Sequence, residues 1–395
     1  MNQSNLRCNK STESSEKLAE GMRLLQRGEH RQAIACFDAC MLIAPFLVDA
    51  LHFRGLALYQ IGEKGDGLTA VKQSIEIAPD RLAYRQNLGG ILLGERQFKE
   101  AAVEFQAIVK QRPDDFLALG SLCQAYYRLG NHAEAIITGQ QCLDVKDSRF
   151  FRETNIDLKS TIGLLEAHES IPVFNSVDRS RNVISYSLWG NQAVYMSGIL
   201  TNAAAAAHLF PEWTMRVYYD DSVPSSVIAD LRKMGVQLMH QTGSSQGNFG
   251  LFWRFFVADD PNVDRFLCRD ADSPLTIKER IAVEDWIDSG LPFHLMRDNI
   301  LHCELVLAGL WGGMRGFLPK IEPLARQFFM NFRGRWADQI FLREQCWSYI
   351  GPRSLSHDTY YSIRNRRPFP SYGRLAAGRH VGGAFPRDHD NRMLF

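Results

Sequence analysis

Phe266-Leu267-Cys268-Arg269-Asp270-Ala271-Asp272-Ser273 runs from an apolar stretch straight into two aspartates separated by one small residue. The apolar run, Val263 to Cys268 with charges interrupting, predicts a buried strand. A strand that ends in Asp-x-Asp delivers hard oxygen ligands to the carboxyl edge of an α/β sheet, where ligands usually bind. Mg²⁺ or Mn²⁺ prefers such oxygens and shares them with substrate phosphates. Taken alone, the pair reads more readily as a solvated acidic strand-to-loop turn than as a metal site, so the surroundings decide.

Outward from that stretch, residues 181–395 alternate strand and helix signals, which predicts a layered α/β fold. NVISYSLWG reads as a first strand, followed by a helix through TNAAAAAHLF. WTMRVYYDD and VQLMHQ are further strands, with the helix SSVIADLRKMG between them. TGSSQGNFG is a polar loop and LFWRFFVADD a short helix. Beyond the Asp-x-Asp, strands are predicted at 293–296 and 304–310, then helices at 319–332 and 336–349. Neither GxGxxG nor GxxxxGK[ST] accompanies the first strand, which disfavours a dinucleotide fingerprint and a phosphate loop. No GxSxG elbow is present either.

Residues 17–150 carry a different signature. Pro45, Pro79 and Pro113 lie 34 residues apart, as do Gly21, Gly55 and Gly89. Ala33, Gly67, Ala101 and Ala135 hold a third register, and Phe37 and Phe105 a fourth. Small residues let paired helices approach closely, and proline stops a helix because it cannot donate the next hydrogen bond. The fourth unit has Asp147 where the proline would fall. The pattern resembles four tetratricopeptide repeats, an all-α solenoid whose concave face binds proteins or peptides. Scaffolding or homodimerisation of the second domain is the alternative use. Residues 1–16 are polar and read as disordered, and 151–180 as a capping helix and linker.

Composition narrows the class. The net charge of +1 supplies no global field toward nucleic acid or membranes. No apolar run reaches the ~20 residues of a membrane span. The eight cysteines show no CxxC pair and no Cys/His metal spacing, so they read as free thiols of a cytoplasmic protein.

Five motifs then follow in order: Ser185-Tyr186-Ser187 ending the first strand, FWRFFVADDPNVDRFLCRDADS, LVLAGLWGG, WADQIFL and GRHVGGAF. In that order the region from 183 to about 385 resembles a GT-A-type nucleotide-sugar glycosyltransferase, similar to the glycogenin-like and galactosyltransferase enzymes. The resemblance implies a Rossmann-like mixed sheet and a metal-dependent hexosyl transfer from a nucleotide diphosphate sugar, UDP foremost, to a protein or glycan hydroxyl. It assigns donor binding to Tyr186, Ser187, Arg254 and Asp270, and Mn²⁺ or Mg²⁺ to Asp270, Asp272 and His380, with His357 as rival. Asp338 and Gln339 become the catalytic pair, and Gly309, Trp311 and Gly312 the acceptor side. Cys268-Arg269 before Asp270 departs from the family's usual strand, and Ala384-Phe385-Pro386-Arg387 replaces its Lys-Pro-Trp.

Individual residues have independent readings. Arg254, on an otherwise apolar helix, suits a diphosphate leaving group or an ion pair with Asp259 or Asp260. Asp338 is a helix-opening carboxylate favoured by the dipole, or a base. His294 and His302 flank Arg297-Asp298 and read as buried hydrogen-bonding groups. The eight arginines against three aspartates between Arg353 and Arg392 suit an anionic acceptor, donor phosphates or a solvated tail. Two other classes fit the chain: a non-catalytic repeat scaffold with a nucleotide-sugar-binding domain, and a Mg²⁺-dependent nucleotidyltransferase or phosphohydrolase, which lacks its usual glycine-rich loop here.

Overall fold

The 34-residue register becomes helix pairs of nearly equal length. The computed structural model describes residues 3–153, 173–242, 248–371, 375–376 and 378–385. The chain divides into two units, Met1–Thr138 and Gly139–Phe395. The first contains α1 (Gln3–Gln26), α2 (His30–Ile43), α3 (Val48–Gln60), α4 (Lys64–Ile77), α5 (Leu82–Gly94), α6 (Phe98–Gln111), α7 (Phe116–Leu129) and the start of α8 (His132–Glu153). Helices α2, α4 and α6 each stop two residues before the register proline, as the restriction on the residue preceding proline requires. Helix α1 starts at Gln3, so residues 3–16, read as disordered, are helical. The glycine-rich stretch GEKGDGLTA, the weakest repeat by sequence, still opens α4 at Lys64.

The register glycines sit where backbones need room. A Cβ on Gly21 would stand 2.5 Å from the Phe37 ring, and one on Gly89 2.6 Å from Phe105. In the second repeat, where Val71 replaces the phenylalanine, the helices meet through two glycines instead. A Cβ on Gly67 would lie 2.7 Å from the Gly55 carbonyl oxygen. Val71, Leu88, Leu92, Phe105, Ile108 and Leu122 form the continuous interior along this stack.

The repeat register predicts a boundary at 150, and the contacts divide the chain at 138, within the last repeat helix. Asp147 stands in the proline register, so nothing stops α8 there and it runs on to Glu153. Its later residues belong to the second unit. Lys146 donates to the Cys303 carbonyl (2.6 Å) and pairs with Glu304 (2.9 Å). Asp147 accepts from the Trp347 indole (2.7 Å) and from Arg364 (2.6 Å). The capping helix and most of the linker expected over 151–180 lie outside the described residues.

The second unit is built on one mixed sheet in the order β3-β2-β1-β4-β6-β5-β7-β8. Its strands are β1 (Asn182–Leu188), β2 (Thr214–Tyr219), β3 (Gln237–His240), β4 (Arg265–Arg269), β5 (Phe293–Arg297), β6 (Leu310–Met314), β7 (Ser354–Asp358) and β8 (Arg366–Arg367). β1 pairs parallel with β2 and β4, and β6 runs antiparallel to both its neighbours. Every residue of β1 and β4 is buried, as befits strands covered on both faces. Helices α9 (Ala193–Leu209), α10 (Ser225–Lys233), α11 (Ile277–Ser289), α12 (Ile321–Asn331) and α13 (Ala337–Phe341) and a 3-10 helix, Phe249–Asp259, complete the frame around the site. The sequence reading does not predict β7 or β8, and two further elements differ from it. The strand expected at 304–310 begins only at Leu310, so the glycine-rich LWGG is strand and not turn. Helix α11, capped by Thr276 and closed by Gly290 in a left-handed conformation (φ +68°), has too mixed a pattern to announce itself.

Candidate functional site

Asp270 follows directly on β4, and the next three residues turn sharply, the Ser273 N–H returning to the Asp270 carbonyl at 3.2 Å. Helix α9 holds this turn from behind. Asn202 donates to the carbonyls of Ala271 (3.4 Å) and Ser273 (2.9 Å) and accepts from the Leu275 N–H (2.9 Å). One turn earlier, Gly198 must be glycine, because a Cβ there would stand 2.2 Å from the Ala271 oxygen. The segment carrying His380 reaches the same turn through Phe385, whose N–H donates to the Asp272 carbonyl (2.9 Å). Gly309 leaves room for the Asp270 carboxylate itself; a Cβ there would lie 1.9 Å from Oδ2.

The 3-10 helix Phe249–Asp259 delivers the countercharge. Ser187 of β1 accepts the Arg254 backbone N–H (2.9 Å), and Ser185 donates to the Arg254 carbonyl (2.7 Å). The Arg254 side chain, 6% exposed, bridges two carboxylates: Nη1 donates to Asp270 Oδ1 and Nη2 to Asp338 Oδ2 at 2.7 Å. Asp259 and Asp260 are engaged elsewhere, Asp259 accepting the N–H groups of Ile321 and Glu322 at the start of α12 and Asp260 pairing with Arg216. Burial works against the guanidinium charge, but Asp270 and Asp338 outweigh it and the Arg254 pKa is raised. Burial pushes the Asp338 carboxyl up to about 6, although Arg254 pulls the other way. Asp338 is thus a carboxylate that ionises near neutrality, the property a general base needs.

These three groups open onto a cavity of about 460 Å³ at the carboxyl ends of β1 and β4. Ser187, Trp189, Tyr195, Asp270 and Asp272 line it together with Arg335, Trp336, Asp338 and Gln339. The volume suits a small-molecule ligand.

Four sequence-assigned residues fall elsewhere, each for a packing reason. Tyr186 points away from the cavity that its neighbours Ser187 and Leu188 line, and it is fully buried, which removes it from donor contact. Trp311 is fully buried against Phe255 and Phe266, and Gly312 sits inside β6 with no room for a Cβ below the Phe266 oxygen, so neither faces an acceptor. Of the three acceptor-side residues only Gly309 adjoins the site. His357 is fully buried with both ring nitrogens occupied, Nδ1 by His294 (2.8 Å) and Nε2 by Asp285 (3.0 Å). It is no rival metal ligand.

His380 lies against His302, with ring centroids 5.0 Å apart, and its Nδ1 contacts the Val381 carbonyl. Among the described residues no three His, Cys, Asp or Glu side chains gather as a metal-holding group, so His380 is not brought into a shell with Asp270 and Asp272. The two aspartates still fit a hard divalent cation. Arg254 engages only Oδ1 of Asp270, whose side chain remains 45% exposed, and both carboxylates line one cavity. Mg²⁺ is commonly held by one or two carboxylates, with waters and substrate phosphates completing the shell.

Several residues of the site escaped sequence reasoning. Gly198 and Asn202 sit in a helix whose small residues read as packing, and only a polar Asn among alanines hinted otherwise. Arg269, which departs from the family pattern, is tied inward by Glu279 and the Trp311 carbonyl (2.8 Å) and does not face the cavity.

Comparison with known proteins bears on the first unit. The tetratricopeptide repeat family matches residues 87–144, so the N-terminal region carries such repeats. Similar solved structures include MamA (18% identity, TM-score 0.33, 34% of this chain and 80% of that one). A MamA fragment, 41-end, from Desulfovibrio magneticus RS-1 is 19% identical with a TM-score of 0.32, covering 40% and 98%. YrrB, described as a TPR protein with an unusual peptide-binding site, is 18% identical with a TM-score of 0.30, covering 34% and 70%. No curated protein matches the chain. Among the described residues no helix is long and apolar enough to cross a membrane.

Proposed function

We propose that the chain joins a protein-binding repeat array to a GT-A-like unit that binds a nucleotide diphosphate sugar, and that hexosyl transfer to a hydroxyl acceptor is the reaction at its cavity. The observation that carries the second half is Arg254 bridging Asp270 and Asp338, all three lining a cavity at the strand ends. In that reading Arg254 stabilises the departing diphosphate as its charge develops. Asp338 acts on the reacting sugar, as base toward the acceptor hydroxyl or as the anion facing an oxocarbenium-like carbon. Gln339 and Ser187 line the cavity beside these groups and orient the bound sugar nucleotide. Mn²⁺ or Mg²⁺, held by Asp270 and Asp272, supplies charge neutralisation of the diphosphate when bound.

The repeat match favours a second reading for the chain as a whole: an interaction scaffold whose sugar-nucleotide unit binds without turnover. One experiment separates the two. The full chain is incubated with UDP-hexoses and Mg²⁺ or Mn²⁺, and both ligand binding and UDP release are followed. Binding with release supports transfer. Binding without release under any acceptor leaves the scaffold reading. Absence of both removes the nucleotide-sugar assignment.

A further inference from the structure

The cavity has one wall that the mechanism leaves unused. Arg335 and Trp336 lie three and two residues before Asp338 and line the same cavity. Trp336 is 56% exposed, a large apolar ring left to solvent at the mouth of a polar site. The Arg335 guanidinium lies 5.1 Å from that ring, and among the described residues it makes no ion pair with a carboxylate. The other cation of the cavity, Arg254, already has two carboxylate partners. An exposed tryptophan costs solubility, and the guanidinium over it, on an exposed residue, is a planar charge positioned by the ring.

We propose that Arg335 and Trp336 form a subsite for a pyranose that carries a carboxylate, a hexuronate, with the ring's apolar face against Trp336 and the carboxylate on the Arg335 fork. This deepens the nucleotide-sugar reading and rests on it. A guanidinium matches a carboxylate through two parallel hydrogen bonds, which a neutral hydroxymethyl group cannot accept. The same chemistry is offered by a donor hexuronate or by an acceptor hexuronide, and the two sources are separable by experiment.

The test uses the full chain and calorimetric binding, which needs no turnover. Methyl glucuronide and methyl glucoside represent the acceptor arm, UDP-glucuronate and UDP-glucose the donor arm. One arm should show the uronate binding about tenfold more tightly than its neutral counterpart, the worth of one charge-assisted contact. Arg335→Gln should reduce that ratio to about one, Arg335→Lys should restore part of it, and Trp336→Ala should weaken both members of the pair. A ratio near one in both arms of the wild-type chain overturns the proposal while leaving the nucleotide-sugar reading intact, provided that UDP-glucose binds. If Arg335→Gln weakens UDP itself as much as the sugar nucleotides, Arg335 reads phosphate and the subsite assignment is wrong. If no nucleotide sugar binds but the glucuronide preference persists, the subsite stands and the parent reading fails.

Discussion

The two units build close helix and strand contacts by opposite routes. In the repeat array the helix-packing contacts join elements close in sequence and follow a 34-residue register, so a glycine opposite a phenylalanine in one repeat reappears in another. In the sheet unit the decisive contact, Arg254 to Asp338, joins residues 84 apart and occurs once. Periodic contacts leave a trace in composition; unique ones leave only residue types in an order. The difference also predicts how each unit fails. Damage in the array should stay local, because each repeat touches only its neighbours. Damage at the arginine bridge should cost both stability and chemistry.

The largest effect tests where one unit ends and the other begins. A chain starting at residue 139 keeps Cys142, Lys146 and Asp147 and should give a cooperative thermal transition. One starting at 151 loses the Lys146–Glu304 pair and the Asp147 contacts with Trp347 and Arg364 and should not fold. Equal transitions in both would return the boundary to 150.

Next in size is the bridge. Arg254→Ala leaves Asp338 buried and unpaired, a change worth about 3–5 kcal/mol. Denaturant unfolding of the full chain should show that loss confined to one of two transitions. A loss below 1 kcal/mol would mean that Asp338 is solvated and that the bridge is weak.

Smaller, and confined to the array, is Gly67→Ala. The other repeats carry alanine at this register, and a helix gains about 1 kcal/mol from the exchange. The Cβ would nonetheless meet backbone atoms of Gly55 and Tyr59, both at 2.7 Å, and overpacking against backbone costs about 1–3 kcal/mol. Net destabilisation is expected in a thermal melt, with the sheet unit unaffected. A stabilised variant would show that the two helices part easily.

Acid separates the units most finely. Burial pushes the His52 pKa down to about 4, its ring lying between Ser74 and Asn87 and stacked on Tyr84. The neutral ring's contribution is whole above 6.5 and lost as pH falls through about 4, so the array weakens in acid. Asp338 runs the other way. Its raised pKa means that the stability it adds is whole below 3.8 and lost as pH rises through about 6, while any reaction needing its carboxylate gains over that same rise. A pH–stability series on the two transitions should show these opposite slopes, and His52→Leu should flatten the first.

The sequence made the array legible nearly to the residue because proline, glycine and phenylalanine recur at one spacing. It does not show that the last helix of the array has partners distant in sequence, for a physical reason: Asp147 in place of proline lets that helix continue, to meet Trp347 and Arg364. In the sheet unit the strands around Asp270 were legible from alternating apolar runs. The bridge was legible only as parts, since Arg254, Asp270 and Asp338 were each named but nothing in their spacing says that they touch. For Tyr186 and Trp311 the motif fixes the strand's position more firmly than which face each side chain takes, and both are buried.

The proposed reaction, transfer of a sugar from a nucleotide at the cavity lined by Arg254, Asp270 and Asp338, is open to direct measurement. The most direct measurement is UDP release from UDP-hexose by the full chain, wild type beside Asp338→Asn, near pH 7 with Mg²⁺ or Mn²⁺ present. The substitution keeps the volume and removes the charge, so the variant should stay folded and bind UDP. Release should fall at least about a hundredfold, the least that a positioned base or stabilising carboxylate contributes. A folded Asp338→Asn chain that releases UDP at the wild-type rate would contradict the account.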